Sequence, residues 1–116
     1  MVVYDYIDAN QKTISVNVDT TGGLSNKLTH VLRQNDFTVY IKNKQTDIGY
    51  TTIKSKYELF VNANALDICV MGGIRYRFGV SIVDLSTSQE ILNYSGTNCE
   101  PKIIECFDEL IKTSTK

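Results

Sequence analysis

The chain is poor in the residues that most often announce chemistry. Its 116 residues include one histidine, His30, one proline, Pro101, and three cysteines, Cys69, Cys99 and Cys106. A single histidine and an odd cysteine count without C-x-x-C spacing argue against a zinc site. Twelve basic residues stand against thirteen acidic ones, for a formal net charge of −1. No basic excess therefore drives binding to a phosphate backbone, and no nucleic-acid partner is expected. No apolar run approaches the roughly 20 residues that cross a bilayer as a helix, so no transmembrane segment is expected. The glycines form neither a G-K-[ST] ending nor a G-x-G-x-x-G, so the phosphate-binding motifs fail. Met1-Val2-Val3-Tyr4-Asp5 has neither the basic nor the long apolar region of a secretory leader. That leaves two alternatives, a cytosolic protein or a mature domain whose leader has been removed.

What is present is alternation. A chain of this length makes one domain, spanning 1–116, and can bury roughly 65% of its unfolded surface in one core without staples. Thr13 to Asp19 reads as a strand, with Ile14, Val16 and Val18 on one face. Thr20-Thr21-Gly22-Gly23 breaks it. Leu24 to Gln34 has helical spacing, with Leu24, Leu28, Val31 and Leu32 on one stripe. Phe37, Val39 and Ile41 alternate as a second strand, and Asn43 to Gly49 reads as a loop. Tyr57, Leu59, Val61, Ala63 and Ala65 alternate along a strand ending near Val70. Met71-Gly72-Gly73 turns into a hairpin whose strands carry Tyr76, Phe78, Val80 and Ile82, then Leu92, Tyr94 and Gly96. Pro101 suits a helix start, because its missing N–H is not needed there. Ile103, Ile104, Phe107, Leu110 and Ile111 form that helix's stripe. The core is expected over about 13–112, with a frayed tail at 113–116. Val2, Tyr4 and Tyr6 alternate and could add an edge strand. The fold class that follows is α+β: a mixed, mostly antiparallel sheet of about five strands, with two amphipathic helices packed on one face.

Candidate chemistry is thin. A nucleophile pair of Cys106 and His30 has no support in the spacing, and a boundary histidine is the simpler reading. The Thr20–Gly23 turn could present backbone N–H groups to an anion; a glycine turn with Thr or Ser capping explains it as well. Arg75-Tyr76-Arg77-Phe78 is similar to an RNA-stacking strand, but the flanking glycine and last aromatic are missing. Glu105, Asp108 and Glu109 share a solvated helix face, with no partner placed for acid–base work. No catalytic residue, metal ligand or cofactor site is assigned, and no enzyme is expected. The cysteines leave two readings open. They are three thiols used as small apolar residues, or one disulfide, Cys69 to Cys99, with a free thiol left over.

Three phrases carry a family resemblance. Leu32-Arg33-Gln34-Asn35-Asp36-Phe37-Thr38-Val39 reads like "L-x-x-x-G-F-x-V". Tyr57-Glu58-Leu59-Phe60-Val61 reads like "Y-x-L-x-V". Tyr76 to Leu92 reads like "Y-x-F-x-V-x-I-x-D-x-x-T-G-E-x-L". Over Thr13 to Lys112 the chain resembles a family of small bacterial envelope domains. That family includes the amino-terminal domain of TolB and the core of the curli-secretion lipoprotein CsgG. Asn35-Asp36 and Ser88 stand where the pattern has glycine; Asn and Asp tolerate the left-handed conformation such positions need. Asp84 and Thr87 are expected to bond within the hairpin loop.

The resemblance implies a non-enzymatic protein-interaction domain of an envelope or secretion assembly, periplasmic or outer-membrane-associated, of lipoprotein type. The alternative is a cytosolic binding or inhibitor module of the same fold. The partner is expected to be protein, self-association included. The expected surface is the sheet face that the helices leave open. Glu58, Phe60, Arg75 and Arg77 are its candidate residues, with Leu66, Ile68, Val83 and Ile91 beside them. The rival expectation is that the segment Val2 to Ile7 covers this face.

Overall fold

A computed structural model describes residues 2–17, 23–42 and 55–116. The elements run β1 (Val2–Val3), β2 (Thr13–Asn17), α1 (Leu24–Gln34), β3 (Thr38–Lys42), β4 (Tyr57–Ile68), β5 (Ile74–Asp84), β6 (Gln89–Cys99) and α2 (Glu100–Ser114). They form a six-stranded mixed sheet of order β1-β6-β5-β4-β2-β3 and two helices, an α+β fold with one strand more than expected. The extra strand is β1, which pairs antiparallel with β6 at Asn93 and Leu92. The expected loop from Asn43 to Gly49 lies outside the described residues, as do Val18 to Gly22.

Two kinds of ladder build the sheet. β4, β5 and β6 form an antiparallel meander, because short turns join them. β2 lies parallel to both β3 and β4, since α1 carries the chain back across the sheet between β2 and β3. The β2–β4 junction is short: Ile14 faces Tyr57, Ser15 faces Glu58 and Val16 faces Leu59.

The core lies between the sheet and the helices. Tyr76, Phe78, Val80 and Ile82 alternate inward from β5, meeting Leu28, Val31 and Leu32 of α1 and Ile103, Phe107 and Leu110 of α2. Phe78 and Tyr94 meet edge to face with centroids 4.8 Å apart, a favoured aromatic geometry. Ile104 is only partly buried, at the margin of this cluster.

Local chemistry sets the ends. Asp36 (φ 68°) and Ser88 (φ 57°) adopt the left-handed conformation at the positions where the family pattern has glycine. The Asp84 carboxylate closes the β5–β6 turn by accepting from the Ser86 N–H at 2.9 Å and hydroxyl at 2.7 Å. The Asn35 side chain donates to the Val31 carbonyl and to Asp108, both at 2.8 Å, tying the end of α1 to α2. Gly23 (φ 87°) is the N-cap of α1 and makes no side-chain bond, while Thr20 and Thr21 of the expected cap lie outside the described residues.

Two expectations are corrected. The carboxyl-terminal tail does not fray. Ser114 is buried, Ile7 N–H donates to its carbonyl at 2.8 Å, and Lys116 N–H donates to Ile7 at 2.9 Å. Ile91 is not on the open face. Ile82 faces Leu92 while Val83 faces Glu90, so Ile91 is the extra residue of a bulge and turns into the core.

Candidate functional site

The open face of the sheet is built by alternation. Glu58, Phe60, Asn62 and Asn64 of β4 sit beside Arg77, Gly79, Ser81 and Val83 of β5, with Ser95 and Asn93 of β6 beyond. Phe60 faces Ser81, Asn62 faces Gly79 and Asn64 faces Arg77. A Cβ at Gly79 would meet nothing within 4 Å. The missing side chain leaves a shallow depression of about 370 Å³, lined by Phe60, Asn62, Gly79, Ser81 and Asn93. Beside it the Ser81 hydroxyl donates to Glu90 at 2.5 Å, and the Asn93 amide lies 3.4 Å from both Glu90 oxygens. The segment Val2 to Ile7 does not cover this face: Val2, Val3, Tyr4 and Tyr6 are exposed, and Ile7 is buried beside the end of α2.

The four expected surface residues share this face but not one cluster. Phe60 is 46% exposed on the rim of the depression. Glu58 is half-buried and accepts from the buried Ser15 hydroxyl at 3.4 Å, a bond that joins β4 to β2. Arg77 is exposed opposite Asn64, four residues from the Phe60 rung and so about 13 Å along the strand. Arg75 lies further still, paired with Asp67 at 3.4 Å.

Beyond Arg75 lies the tip of the β4–β5 hairpin, which includes the expected Met71-Gly72-Gly73 turn. Cys69 and Cys99 form a disulfide, their Cα atoms 6.2 Å apart, and Cys106 remains a free, half-buried thiol. This decides between the two readings of the cysteines. Just past Cys69 the chain exposes Val70 and Met71, with Ile68 before it. The signal was available: the apolar run Ile68-Cys69-Val70-Met71 enters a Gly-Gly turn with no polar residue to face the water.

The groups with altered proton affinity all lie away from this surface and serve the fold. Burial raises Tyr76, whose neighbour Glu100 adds to the effect and is itself ion-paired with Lys27. Burial raises Tyr57 too, although its hydroxyl oxygen accepts from the Asp8 N–H at 2.9 Å. Burial, with a bond to Cys106, pushes Tyr94 up to about 12. Bonds from Lys112 and Asn35 hold Asp108 low. His30 is exposed on α1, 3.1 Å from the Gln34 amide, while Cys106 bonds Tyr94, so the structure does not bring this pair together. Among the described residues, no group of three or more His, Cys, Asp or Glu side chains could hold a metal ion. Among them, too, no helix is long and apolar enough to cross a membrane.

No family model and no curated protein matches the chain. Solved structures do. The fold is shared with PelC. A variant PelC dodecamer from Paraburkholderia phytofirmans superposes with a TM-score of 0.64 at 13% identity, covering 99% of this chain and 95% of that one. A second PelC dodecamer structure from the same organism gives 0.60 at 14% identity, covering 91% and 89%. A minor lipoprotein from Acinetobacter baumannii gives 0.38 at 13% identity, covering 90% and 89%. At these identities the likeness to PelC is one of fold.

Proposed function

We propose that this domain is a non-enzymatic, self-associating subunit of a bacterial envelope or secretion assembly. The observation that carries the reading is the extent of the PelC likeness. It spans 99% of this chain and 95% of the other, so the dodecamer is built from units of this size and shape. Exposed large apolar residues at β1, β3 and the β4–β5 tip give this chain surface to bury against copies of itself.

The Cys69–Cys99 disulfide supports the envelope over the cytosol, because such bonds persist in oxidising compartments. Kinship with the TolB and CsgG type of domain is part of the same proposal. Its support is the left-handed backbone at Asp36 and Ser88, where the motif phrases have glycine.

Multi-angle light scattering on the oxidised protein tests the reading. The expected result is a discrete oligomer at micromolar concentration, its mass a whole multiple of the chain's. A monomer at every concentration tried would overturn it.

A further inference from the structure

The tip of the β4–β5 hairpin is apolar without interruption. Residues 68–74 read Ile-Cys-Val-Met-Gly-Gly-Ile, and with Cys69 in its disulfide none carries a charged or hydrogen-bonding side chain. Val70 and Met71 are 101% and 95% exposed and Ile68 82%, and Ile74, which faces Ile68 across the hairpin, is exposed too. Exposure this complete means that no neighbouring side chain walls the apex, which stands out from the molecule as a knob. The exposed strips at β1 and β3 differ, since Asp5 interrupts one and Lys42 ends the other.

The knob is also held in shape. The Cys69 N–H donates to the Gly73 carbonyl at 2.9 Å, and the Gly72 N–H to the Cys69 carbonyl at 3.0 Å. Gly72 (φ 98°) and Gly73 (φ 81°) take a backbone conformation that other residues resist. A Cβ at Gly73 would lie 3.0 Å from Pro101 of α2. The disulfide pins Cys69 to the last residue of β6. The backbone thus holds Val70 and Met71 out in water, and little ordering entropy is left to lose when the tip docks.

The surroundings of the knob say what it meets. Asp67 and Arg75, the rung below Ile68 and Ile74, pair with each other at 3.4 Å. Beside Gly73, the first turn of α2 holds two more pairs of opposite charge, Lys27 with Glu100 and Lys102 with Glu105. The collar below the knob is therefore charged but balanced. A surface built for anionic lipid would carry a basic excess. A protein anchor typically offers aromatic or arginine side chains, and residues 68–74 have neither. The acyl layer of a bilayer asks for neither. At about 3.3 Å per residue the apex stands about 10 Å beyond the Asp67–Arg75 rung, which matches the depth of about 5–10 Å to which interfacial apolar faces sink. At that depth the balanced pairs lie among the headgroups. The two hydrogen bonds of the turn also satisfy two donors and two acceptors before they leave water.

We propose that the tip is a membrane-dipping knob that seats this domain on an electrically neutral, zwitterionic lipid surface. The inference stands beside the self-association reading and does not rest on it. Copies that present their knobs together would bind with avidity.

The chain has no tryptophan, so Met71→Trp places a single reporter at the apex. When the oxidised variant is titrated with phosphatidylcholine vesicles, its emission should shift to the blue, and lipids brominated on the acyl chain should quench it. The oxidised wild type should float with the same vesicles, and molar salt should not release it. Val70→Ser with Met71→Ser should weaken flotation at least about tenfold, the effect of removing two aliphatic side chains from an apolar phase. Both positions are exposed, and circular dichroism checks that each variant folds.

A wild type that stays unbound at millimolar lipid, or a serine variant that floats as well as wild type, overturns the inference. Binding confined to phosphatidylglycerol vesicles and lost in salt overturns it too, because charge elsewhere then makes the contact. A smaller oligomer of the serine variant in light scattering, with a wild type that ignores vesicles, reassigns the knob to protein; the inference then fails while the self-association reading stands. Tip-dependent vesicle binding by a strictly monomeric wild type has the opposite sense, removing self-association and supporting the knob.

Discussion

Breaking the Cys69–Cys99 bond is the most informative perturbation of stability. The bond closes a loop with a sequence separation of 30. In the chain-entropy description, removing a cross-link of that span frees about 3.6 kcal/mol of unfolded-state entropy. A domain of this size is typically stable by about 5–15 kcal/mol, so the reduced protein should remain folded. Unfolding entropy of about 2.1 cal/mol/K per residue converts the loss into a drop in Tm of about 15 °C. Scanning calorimetry of oxidised protein, reduced protein and a Cys69→Ala/Cys99→Ala variant measures it. Alkylation should mark only Cys106 before reduction and all three cysteines after it. A shift below about 5 °C would refute the premise that the bond acts by restraining the unfolded chain. Loss of a cooperative transition would refute the premise that the core holds this fold unaided.

Phe107 is fully buried where α2 meets the sheet. Its replacement by alanine should cost about 3–5 kcal/mol in urea unfolding, and a midpoint like wild type would mean that the two-layer core is misassigned. Alkali should also unfold the protein. Burial raises the phenols of Tyr57, Tyr76 and Tyr94 above their ordinary 10.0, Tyr94 to about 12 with help from Cys106. The folded state therefore holds these protons more tightly. Their contribution is fully present below about pH 10 and is lost as pH rises through about 12. Near-ultraviolet titration should show buried phenols ionising together with unfolding inside that window, and full ionisation near pH 10 with the fold intact would contradict it.

The parts of the structure that repeat along the chain were legible in it. Alternation fixed the inward face of β5, and helical spacing fixed the buried stripes of α1 and α2. Ile91 was misplaced because one extra residue in β6 reverses the parity of everything on one side of it, and a bulge leaves no periodic trace. The ordered tail escaped notice for a different reason. Its bonds run to Ile7, more than a hundred positions away, and no local pattern records such a pairing. Glu58 read as a surface residue because its partner, Ser15, comes from another strand through a parallel pairing. The exposed apolar tip was visible as composition, in the run Ile68-Cys69-Val70-Met71, but the Gly-Gly turn that follows already explained the segment.

The short β2–β4 junction has a consequence for how the molecule breathes. The meander from β4 to β6 pairs strands that follow one another in sequence, over ladders running nearly their full length. Among the described residues, the β2–β3 pair is joined to it by a ladder of three rungs, at Ile14, Ser15 and Val16. Closing that junction means bringing together segments about 43 residues apart, for which the entropy must be met before any bond forms. The sheet is thus two cooperative units along one seam, a local one and a distant one. Amide hydrogens at the seam should exchange through partial openings that leave the meander intact, while those at its centre wait for global unfolding.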